Sequence, residues 1–165
     1  MELWDIYDID RQRTGRTMER GDWSMQPGEY HLTVLALLKR PDGRYLITQR
    51  VMTKSWAPGC WEIPGGGVRA GEGSLEAVLR EVKEETGLTP RPEQGQRIFT
   101  YRRDNPEEGD NYFVDIWLFE MEIQDQDVHL QEEETMAYRF AAPSEIRELG
   151  EQDQFLHFHS LQSIF

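Results

Sequence analysis

The sequence has few of the residues that would cross-link the chain or anchor it in a membrane. Its 165 residues include one cysteine, Cys60, which excludes an internal disulfide, and no spacing of Cys and His is typical of a zinc site. No apolar run approaches the ~20 residues that span a bilayer. Residues 1–20 are polar and charged, unlike a secretory signal. We therefore expect a cytoplasmic protein that does not bind membranes.

Positive charge is also scarce. The chain has 18 Lys and Arg against 31 Asp and Glu, a net charge of −13. Such a field repels the phosphate backbone of nucleic acids, so we do not expect nucleic-acid binding. A small phosphorylated ligand is compatible with it, because a divalent cation can bridge an acidic protein and an anionic ligand.

Residues suited to a core are plentiful, with 38% hydrophobic and 11% aromatic residues. The length suits one domain, 1–165, and no internal repeat interrupts it. Residues 3–7, 31–38, 45–50, 97–102, 112–123 and 136–140 resemble strands, and residues 75–86, 143–149 and 154–163 resemble helices. The turn signal at residues 41–43 predicts a hairpin of 31–38 with 45–50. Because strands and helices interleave without strict βαβ repetition, we predict an α/β fold with helices on both faces of a mixed sheet.

The predicted helix 75–86 is bounded by characteristic end signals. Ser74 is a suitable N-cap, and Gly87 is suited to the position after the last turn. Its apolar stripe comprises Leu75, Val78, Leu79 and Val82. This amphipathic pattern predicts a helix that packs one face on the sheet.

Three carboxylates, Glu81, Glu84 and Glu85, share one flank of that helix. Their mutual repulsion is relieved by a hard divalent cation, which prefers oxygen ligands. The alternative interpretation is a solvated acidic edge. Two neighbours favour a site: Glu72 lies at the loop–helix junction, and Arg80 precedes Glu84 by four residues, a spacing suited to an orienting ion pair.

The surrounding residues complete a specific motif, G-x5-E-x7-R-E-U-x-E-E-x-G-U with U aliphatic, over residues 66–88. The matching positions are Gly66, Glu72, Arg80, Glu81, Val82, Glu84, Glu85, Gly87 and Leu88. At typical residue frequencies, a chance match to the seven fixed positions is on the order of 10⁻⁸ per starting point. The segment therefore resembles the Nudix box, and a less specific similarity to the Nudix hydrolase family extends over about residues 31–146.

This resemblance implies a Nudix-type α/β/α sandwich and hydrolysis of a nucleoside diphosphate linked to another group. By the same resemblance, Mg²⁺, or Mn²⁺, is bound by Glu81, Glu84, Glu85 and the Gly65 carbonyl. Glu72 would support the site and Arg80 would orient the carboxylates. The general base varies in the family. It stays open here between Glu81 and one of three acids in a later segment: Glu132, Glu133 and Glu134.

The expected partner is a small phosphorylated substrate, most simply a nucleotide. Backbone groups of Gly66 and Gly67 are suited to a phosphate, as is the guanidinium of Arg50, and Tyr101 could stack on a base. These four are the predicted substrate-binding residues, although a surface or packing role is common for each residue type. A homodimer stays an open alternative.

Residues 1–28 resemble the N-terminal extension of isopentenyl-diphosphate isomerases and their Nudix hydrolase relatives. Those isomerases carry a catalytic cysteine a few residues after a loop tryptophan, whereas Cys60 precedes Trp61 and none follows it. We therefore expect Cys60 to be non-catalytic and favour a hydrolase. An isomerase-like enzyme and a non-catalytic nucleotide- or sugar-sensing domain remain alternatives; such sensors usually lose box residues, and here the box is complete.

Overall fold

The computed structural model describes residues 2–165. Met1, the first residue of the predicted extension 1–28, lies outside the described residues. The strands are β1 Leu3–Tyr7, β2 Arg13–Glu19, β3 His31–Lys39, β4 Tyr45–Arg50, β5 Trp61–Glu62, β6 Gly65–Gly67, β7 Gly95–Arg103, β8 Tyr112–Glu120 and β9 Thr135–Ala141. The helices are α1 Ser74–Thr86, α2 Pro143–Glu151 and α3 Phe158–Leu161. None of the helices within 2–165 is long and apolar enough to cross a membrane.

Strand β3 organises a mixed sheet of seven strands. It runs parallel to β8, with His31 opposite Tyr112 and Lys39 opposite Glu120. The order is β5-β4-β3-β8-β7, with β6 paired to β3 and β9 paired to β4. The predicted mixed sheet is confirmed. The predicted hairpin of β3 and β4 is antiparallel, but the two strands pair only at Lys39–Tyr45; farther from the turn, β6 pairs with β3 and β5 pairs with β4.

Two cores lie on opposite faces of this sheet because side chains alternate along β3. Val34, Ala36 and Leu38 belong to the core that contains Val78 and Val82 of α1. Leu35 and Leu37 belong to the core that contains Ile146 of α2 and Leu161 of α3. Burying a valine side chain such as Val78 contributes about 1.5–3 kcal/mol. The result is the predicted α/β/α sandwich, with α1 on one face of the sheet and α2 and α3 on the other.

The N-terminal strands form a separate two-stranded sheet, hereafter the N-terminal hairpin (β1 and β2). It has a small core of its own, formed by Trp4, Ile6, Met18 and Met25. Backbone hydrogen bonds between Tyr7 and Tyr30, at 2.8 and 2.9 Å, join it to the start of β3. Strand β2 was not predicted, because its residues are polar and nearly all exposed.

Other boundaries also differ from the sequence prediction. Gly73, not Ser74, is the N-cap of α1, and no side chain caps this helix end. Ser74 is the first helical residue, and its hydroxyl donates to Asp115 at 2.6 Å instead. The predicted helix 154–163 is reduced to α3, because His157 has a left-handed backbone with φ 61°. The loop before α1 contains the short strands β5 and β6, which a run rich in Gly and Pro concealed.

Candidate active site

Strand β6 and helix α1 bring the box glycines against the box carboxylates. The Gly65 N–H donates to Glu85 Oε2 at 3.0 Å. A Cβ on Gly66 would lie 2.5 Å from Glu81 Oε1, so only glycine allows this carboxylate to approach the strand so closely. Because β6 pairs with Thr33–Leu35 of β3, the central strand fixes the position of both glycines.

Arg80 joins the carboxylates of the box. Its Nε and Nη2 donate to the two oxygens of Glu72, at 2.7 and 2.9 Å. Its Nη1 donates to Glu81 at 2.9 Å and to Glu84 at 3.2 Å. Nη2 also donates to the Gly67 carbonyl at 3.1 Å. The guanidinium therefore connects the loop–helix junction, β6 and the acidic flank of α1, and its bidentate contact with Glu72 is the centre of this network.

Negative charge at this network exceeds positive charge. Burial raises the pKa of Glu85 well above its ordinary value, and the charges of Glu81 and Glu62 raise it further. Burial also raises the pKa of Glu81, against the opposing effect of Arg80. Glu72 differs: burial would raise its pKa, but hydrogen bonds from Arg80 and from the Arg69 backbone outweigh burial and lower it. The four box carboxylates thus share two guanidinium partners, Arg80 and, at 3.8 Å from Glu84, Arg69.

The donor set fits a divalent cation in its chemistry. Glu81, Glu84 and Glu85 offer hard carboxylate oxygens, which are the ligands that Mg²⁺ and Mn²⁺ prefer. Their side chains do not converge, however, since residues 2–165 contain no group of three or more His, Cys, Asp or Glu already arranged around one point. Coordination of one ion by all three therefore requires some of these side chains to rotate; Arg80 contacts only one oxygen each of Glu81 and Glu84.

A cleft, lined along its length by Thr33, Leu35, Trp56, Gly66 and His157, opens along β6; Glu81, Glu84 and Glu85 are not among its lining residues. Its inner part, about 120 Å³, is also lined by Arg50, Glu62 and Gly65. Its outer part, about 220 Å³, is also lined by Gly67 and by the rings of Trp4, Trp23, Tyr101 and Tyr112. We call this ring-lined outer part the aromatic chamber. The glycine strand β6 thus borders both the carboxylates and the aromatic chamber.

The aromatic chamber depends on rings from the N-terminal hairpin and the adjoining segment. Trp4 stacks on His31 with ring centroids 4.0 Å apart. His31 Nε2 lies 3.1 Å from Asp110 Oδ1, which fixes the ring. Trp23 and Trp56 are 53% and 59% exposed, unusually high for tryptophan, and both line the chamber. Sequence reasoning did not identify Trp4, Trp23 or His31, because nothing local indicates that residues 2–28 fold back beside the box.

The predicted substrate residues occupy this cleft in different ways. Gly66 and Gly67 line it with backbone. Tyr101 is mostly buried, and burial raises its pKa to about 12. Arg50 lines the inner part, but its guanidinium donates to the Trp56 carbonyl at 2.9 Å and to Glu62 at 3.3 Å. Much of its hydrogen-bonding capacity is therefore used within the protein.

Glu62 is an acid of the site that sequence reasoning missed. It lies on β5, lines the inner cleft beside Gly65, and contributes to the negative charge felt by Glu85. Burial raises its pKa, while Arg50 opposes the shift. The only sequence feature that could have indicated Glu62 is its position two residues before Pro64, as the one acidic residue in the loop 55–67.

The remaining acidic and thiol candidates lie at the margin. Glu134 forms an ion pair with Lys54, and its carbonyl accepts from the Val51 N–H at 3.1 Å. Glu132 and Glu133 are exposed. Cys60 is half-buried, with its Sγ 4.0 Å from the Asp153 carbonyl, and it is not among the residues that line the two parts of the cleft.

Comparison with known proteins gives consistent relatives. The profile of the NUDIX domain family matches residues 29–161. An uncharacterised Nudix hydrolase from Listeria monocytogenes is 32% identical over 166 aligned residues, covering 100% of this chain and 94% of that protein. The nucleoside triphosphatase NudI of Escherichia coli is 42% identical over 55 residues, covering 33% of this chain and 39% of NudI. The crystal structure of a Deinococcus radiodurans protein superposes with a TM-score of 0.73 at 18% identity, covering 93% of this chain and 91% of that one, which is a likeness of fold.

Proposed function

The chain belongs to the Nudix hydrolase family, and we propose that it hydrolyses a phosphoanhydride bond of a nucleoside di- or triphosphate in the presence of Mg²⁺. One observation carries this proposal. The carboxylates of the box lie against glycine strand β6, which also borders an aromatic-lined cleft. A cation held by the carboxylates on one side of β6 could therefore bind the phosphates, and the aromatic rings on the other side could stack on a planar base.

The acidic flank of α1 is the proposed cation site. Glu81, Glu84 and Glu85 would hold Mg²⁺, or Mn²⁺, together with the carbonyl of Gly65. A cation bound there supplies charge neutralisation at the phosphoanhydride oxygens and acidifies water. Burial, and after it the charges of Glu81 and Glu62, raise the pKa of Glu85, and a cation bound beside it would favour the ionised carboxylate.

Arg80 and Glu72 act by holding the carboxylates in place. The bidentate contact between them orients the guanidinium, which then presents donors to Glu81 and Glu84. These contacts restrict the rotamers of Glu81 and Glu84 before a cation binds. The conformational entropy cost of arranging the site is reduced accordingly.

Glu81 is the better supported of the two alternatives for the general base. Its carboxylate lies against Gly66, which lines the cleft, and burial raises its pKa. Glu134 is engaged by Lys54, and Glu132 and Glu133 are exposed. In the proposed reaction a water molecule attacks phosphorus and gives its proton to Glu81, and the bridging oxygen leaves with the other phosphate group.

The aromatic chamber is the proposed base-binding part of the cleft. Tyr101, Trp23 and Trp56 offer apolar ring surface, and base–aromatic stacking is worth about 1–3 kcal/mol per base. The similarity over 55 residues to NudI, a nucleoside triphosphatase, supports a nucleotide as substrate. The isomerase and sensor alternatives are weaker, because Cys60 does not line either part of the cleft and the box is complete.

A substrate panel tests the proposal. The purified chain would be incubated with Mg²⁺ and with nucleoside di- and triphosphates, dinucleotides, nucleotide sugars and isopentenyl diphosphate, and products would be separated by chromatography. We expect phosphate or pyrophosphate release from a nucleoside di- or triphosphate, and none when EDTA is in excess. Turnover confined to the other compounds, or rearrangement of isopentenyl diphosphate without phosphate release, would replace the proposed substrate class.

A further inference from the structure

The N-terminal hairpin contacts the loop that leads into the catalytic helix at three successive residues. The contacts are Ala70 N–H to Leu3 O at 2.7 Å, Gly71 N–H to Asp5 Oδ2 at 2.8 Å, and Arg13 Nη2 to Glu72 O at 3.1 Å. Each of these loop residues is hydrogen-bonded to a different residue of the hairpin. The third hydrogen bond is accepted by the backbone carbonyl of Glu72, the residue that orients Arg80.

A second set of contacts ties the turn of the hairpin to the first residue of α1. Asp115 of β8 is completely buried and accepts from Arg11 Nη1 at 2.7 Å and from Ser74 Oγ at 2.6 Å. Arg11 has a left-handed backbone with φ 61°, a conformation that costs a non-glycine residue of order 1 kcal/mol. A buried carboxylate needs such partners, because an unpaired buried charge is strongly destabilising.

Trp4 completes the contact on the other side of the loop. A Cβ on Gly67 would lie 2.8 Å from Trp4 Nε1, so the indole of β1 packs directly on the last glycine of β6. The hairpin thus meets the box segment at three places: at Gly67, at residues 70–72, and at Ser74 through Asp115.

We propose that the N-terminal hairpin is a brace for the catalytic loop and that Asp5 and Arg11 are positioning residues of the reaction. The inference rests on the proposed function. By fixing the backbone of residues 69–74, the brace holds Glu72 where it can orient Arg80, and Arg80 in turn orients the carboxylates that bind the cation. Neither Asp5 nor Arg11 contacts those carboxylates in the structure; each acts through the loop or through α1.

Two variants and a matched control separate positioning from general stability. Asp5→Ala removes the acceptor of the Gly71 N–H, and Arg11→Met removes the guanidinium from Asp115 while keeping side-chain volume. Arg16→Ala is the control, because Arg16 lies on the same strand as Arg13 but pairs with Glu29 at 3.1 Å, away from the box. Arg11→Lys restores the charge without the two-pronged geometry. All variants would be compared well below their melting temperatures after circular dichroism confirms the fold.

Three readouts are measured: Mn²⁺ affinity by electron paramagnetic resonance of the free ion, kcat and KM, and amide hydrogen exchange of residues 69–74. We expect Asp5→Ala and Arg11→Met to weaken Mn²⁺ binding and to lower kcat, each by about 10-fold, the range typical of groups that orient metal ligands, with KM little changed. Amide exchange in 69–74 should be faster. Arg11→Lys should lie between the wild type and Arg11→Met, and Arg16→Ala should match the wild type.

The brace is overturned if a folded Asp5→Ala variant keeps wild-type Mn²⁺ affinity, kcat and exchange rates. If Arg11→Met does not fold, Asp5→Ala alone tests the proposal. Asp5 is partly exposed, and its removal leaves no unpaired buried charge. Failure of the proposed function has a different signature. In that case the wild type turns over no phosphoanhydride, while Asp5→Ala still accelerates amide exchange in residues 69–74.

Discussion

Among single residues, Arg80 and the glutamates around it determine what the site can do. The guanidinium contacts Glu72, Glu81 and Glu84, yet its single charge leaves the flank of α1 strongly negative. Glu84 is the most accessible of the three proposed cation ligands, with its side chain 39% exposed. It can therefore be changed with less risk to the fold than Glu81 or Glu85.

Glu84→Gln is predicted to keep the fold and to lose most turnover, by at least about 100-fold, because it replaces a charged oxygen ligand of a hard cation by a neutral amide. Initial rates with Mg²⁺ and a melting curve would be measured together. Glu76→Gln is the matched control, since Glu76 is an exposed residue in the first turn of the same helix. Equal rates for Glu84→Gln and the wild type would contradict the assignment.

Cys60→Ala is predicted to retain hydrolysis within a few-fold. The thiol is half-buried, its Sγ is 4.0 Å from the Asp153 carbonyl, and it does not line the cleft, so only a modest packing loss is expected. Rates and circular dichroism would be recorded side by side. A loss of activity in a variant with intact circular dichroism would favour a thiol mechanism and the isomerase alternative.

At the scale of elements, the site is a junction between strand β6 and helix α1. The close approach of Gly66 to the Glu81 carboxylate sets their spacing. Because β6 is paired to the central strand β3, the strand cannot easily move to accommodate a larger side chain. The position of Glu81 is the more adjustable of the two.

Gly66→Ala is therefore predicted to displace the Glu81 carboxylate and to lower kcat strongly, with a smaller effect on the melting temperature. Gly73→Ala is the matched control: its Cβ would lie 3.4 Å from Glu76 Oε1, an ordinary contact, and its φ of −87° suits any residue. The control should lose about 1 kcal/mol of stability at the N-cap and keep its rate. If Gly66→Ala and Gly73→Ala had the same kcat, the spacing argument would be wrong.

The elements that the sequence predicted best are those with strong periodicity or strong end signals. Strands β1 and β4 have the predicted bounds, and α1 differs by one residue at its start. Strand β2 and the split of loop 55–67 into β5 and β6 were missed, because polar and glycine-rich strands form through pairing partners distant in sequence. The predicted helix 154–163 failed at the left-handed residue His157.

The same distinction applies to the candidate site. The helix periodicity placed Glu81, Glu84 and Glu85 on one flank, and Arg80 within reach, because those relations are local. Glu62 and the aromatic chamber could not be predicted, since they depend on how β5 and the N-terminal hairpin pack beside the box. The roles assigned to the site residues, and the division into one domain with an extension at 1–28, stay predictions.

At the scale of the whole molecule, the net charge of −13 bears on how a substrate arrives. An acidic surface slows the approach of a bare polyanion, and the effect is strongest at low ionic strength. A nucleotide complexed with Mg²⁺ carries less negative charge, so this complex is the expected substrate. Within the acidic surface, the glycine strand and the aromatic chamber provide the local complementarity that the overall charge does not.

The most direct test of the central claim is hydrolysis of the preferred nucleotide in ¹⁸O-labelled water with Mg²⁺, followed by mass spectrometry of every product. Because water attacks phosphorus in the proposed reaction, ¹⁸O is predicted in one phosphate-containing product, with release depending on intact Glu84. Products without ¹⁸O in any phosphate, or turnover that persists in excess EDTA, would contradict the assignment of the chain as a metal-dependent phosphoanhydride hydrolase.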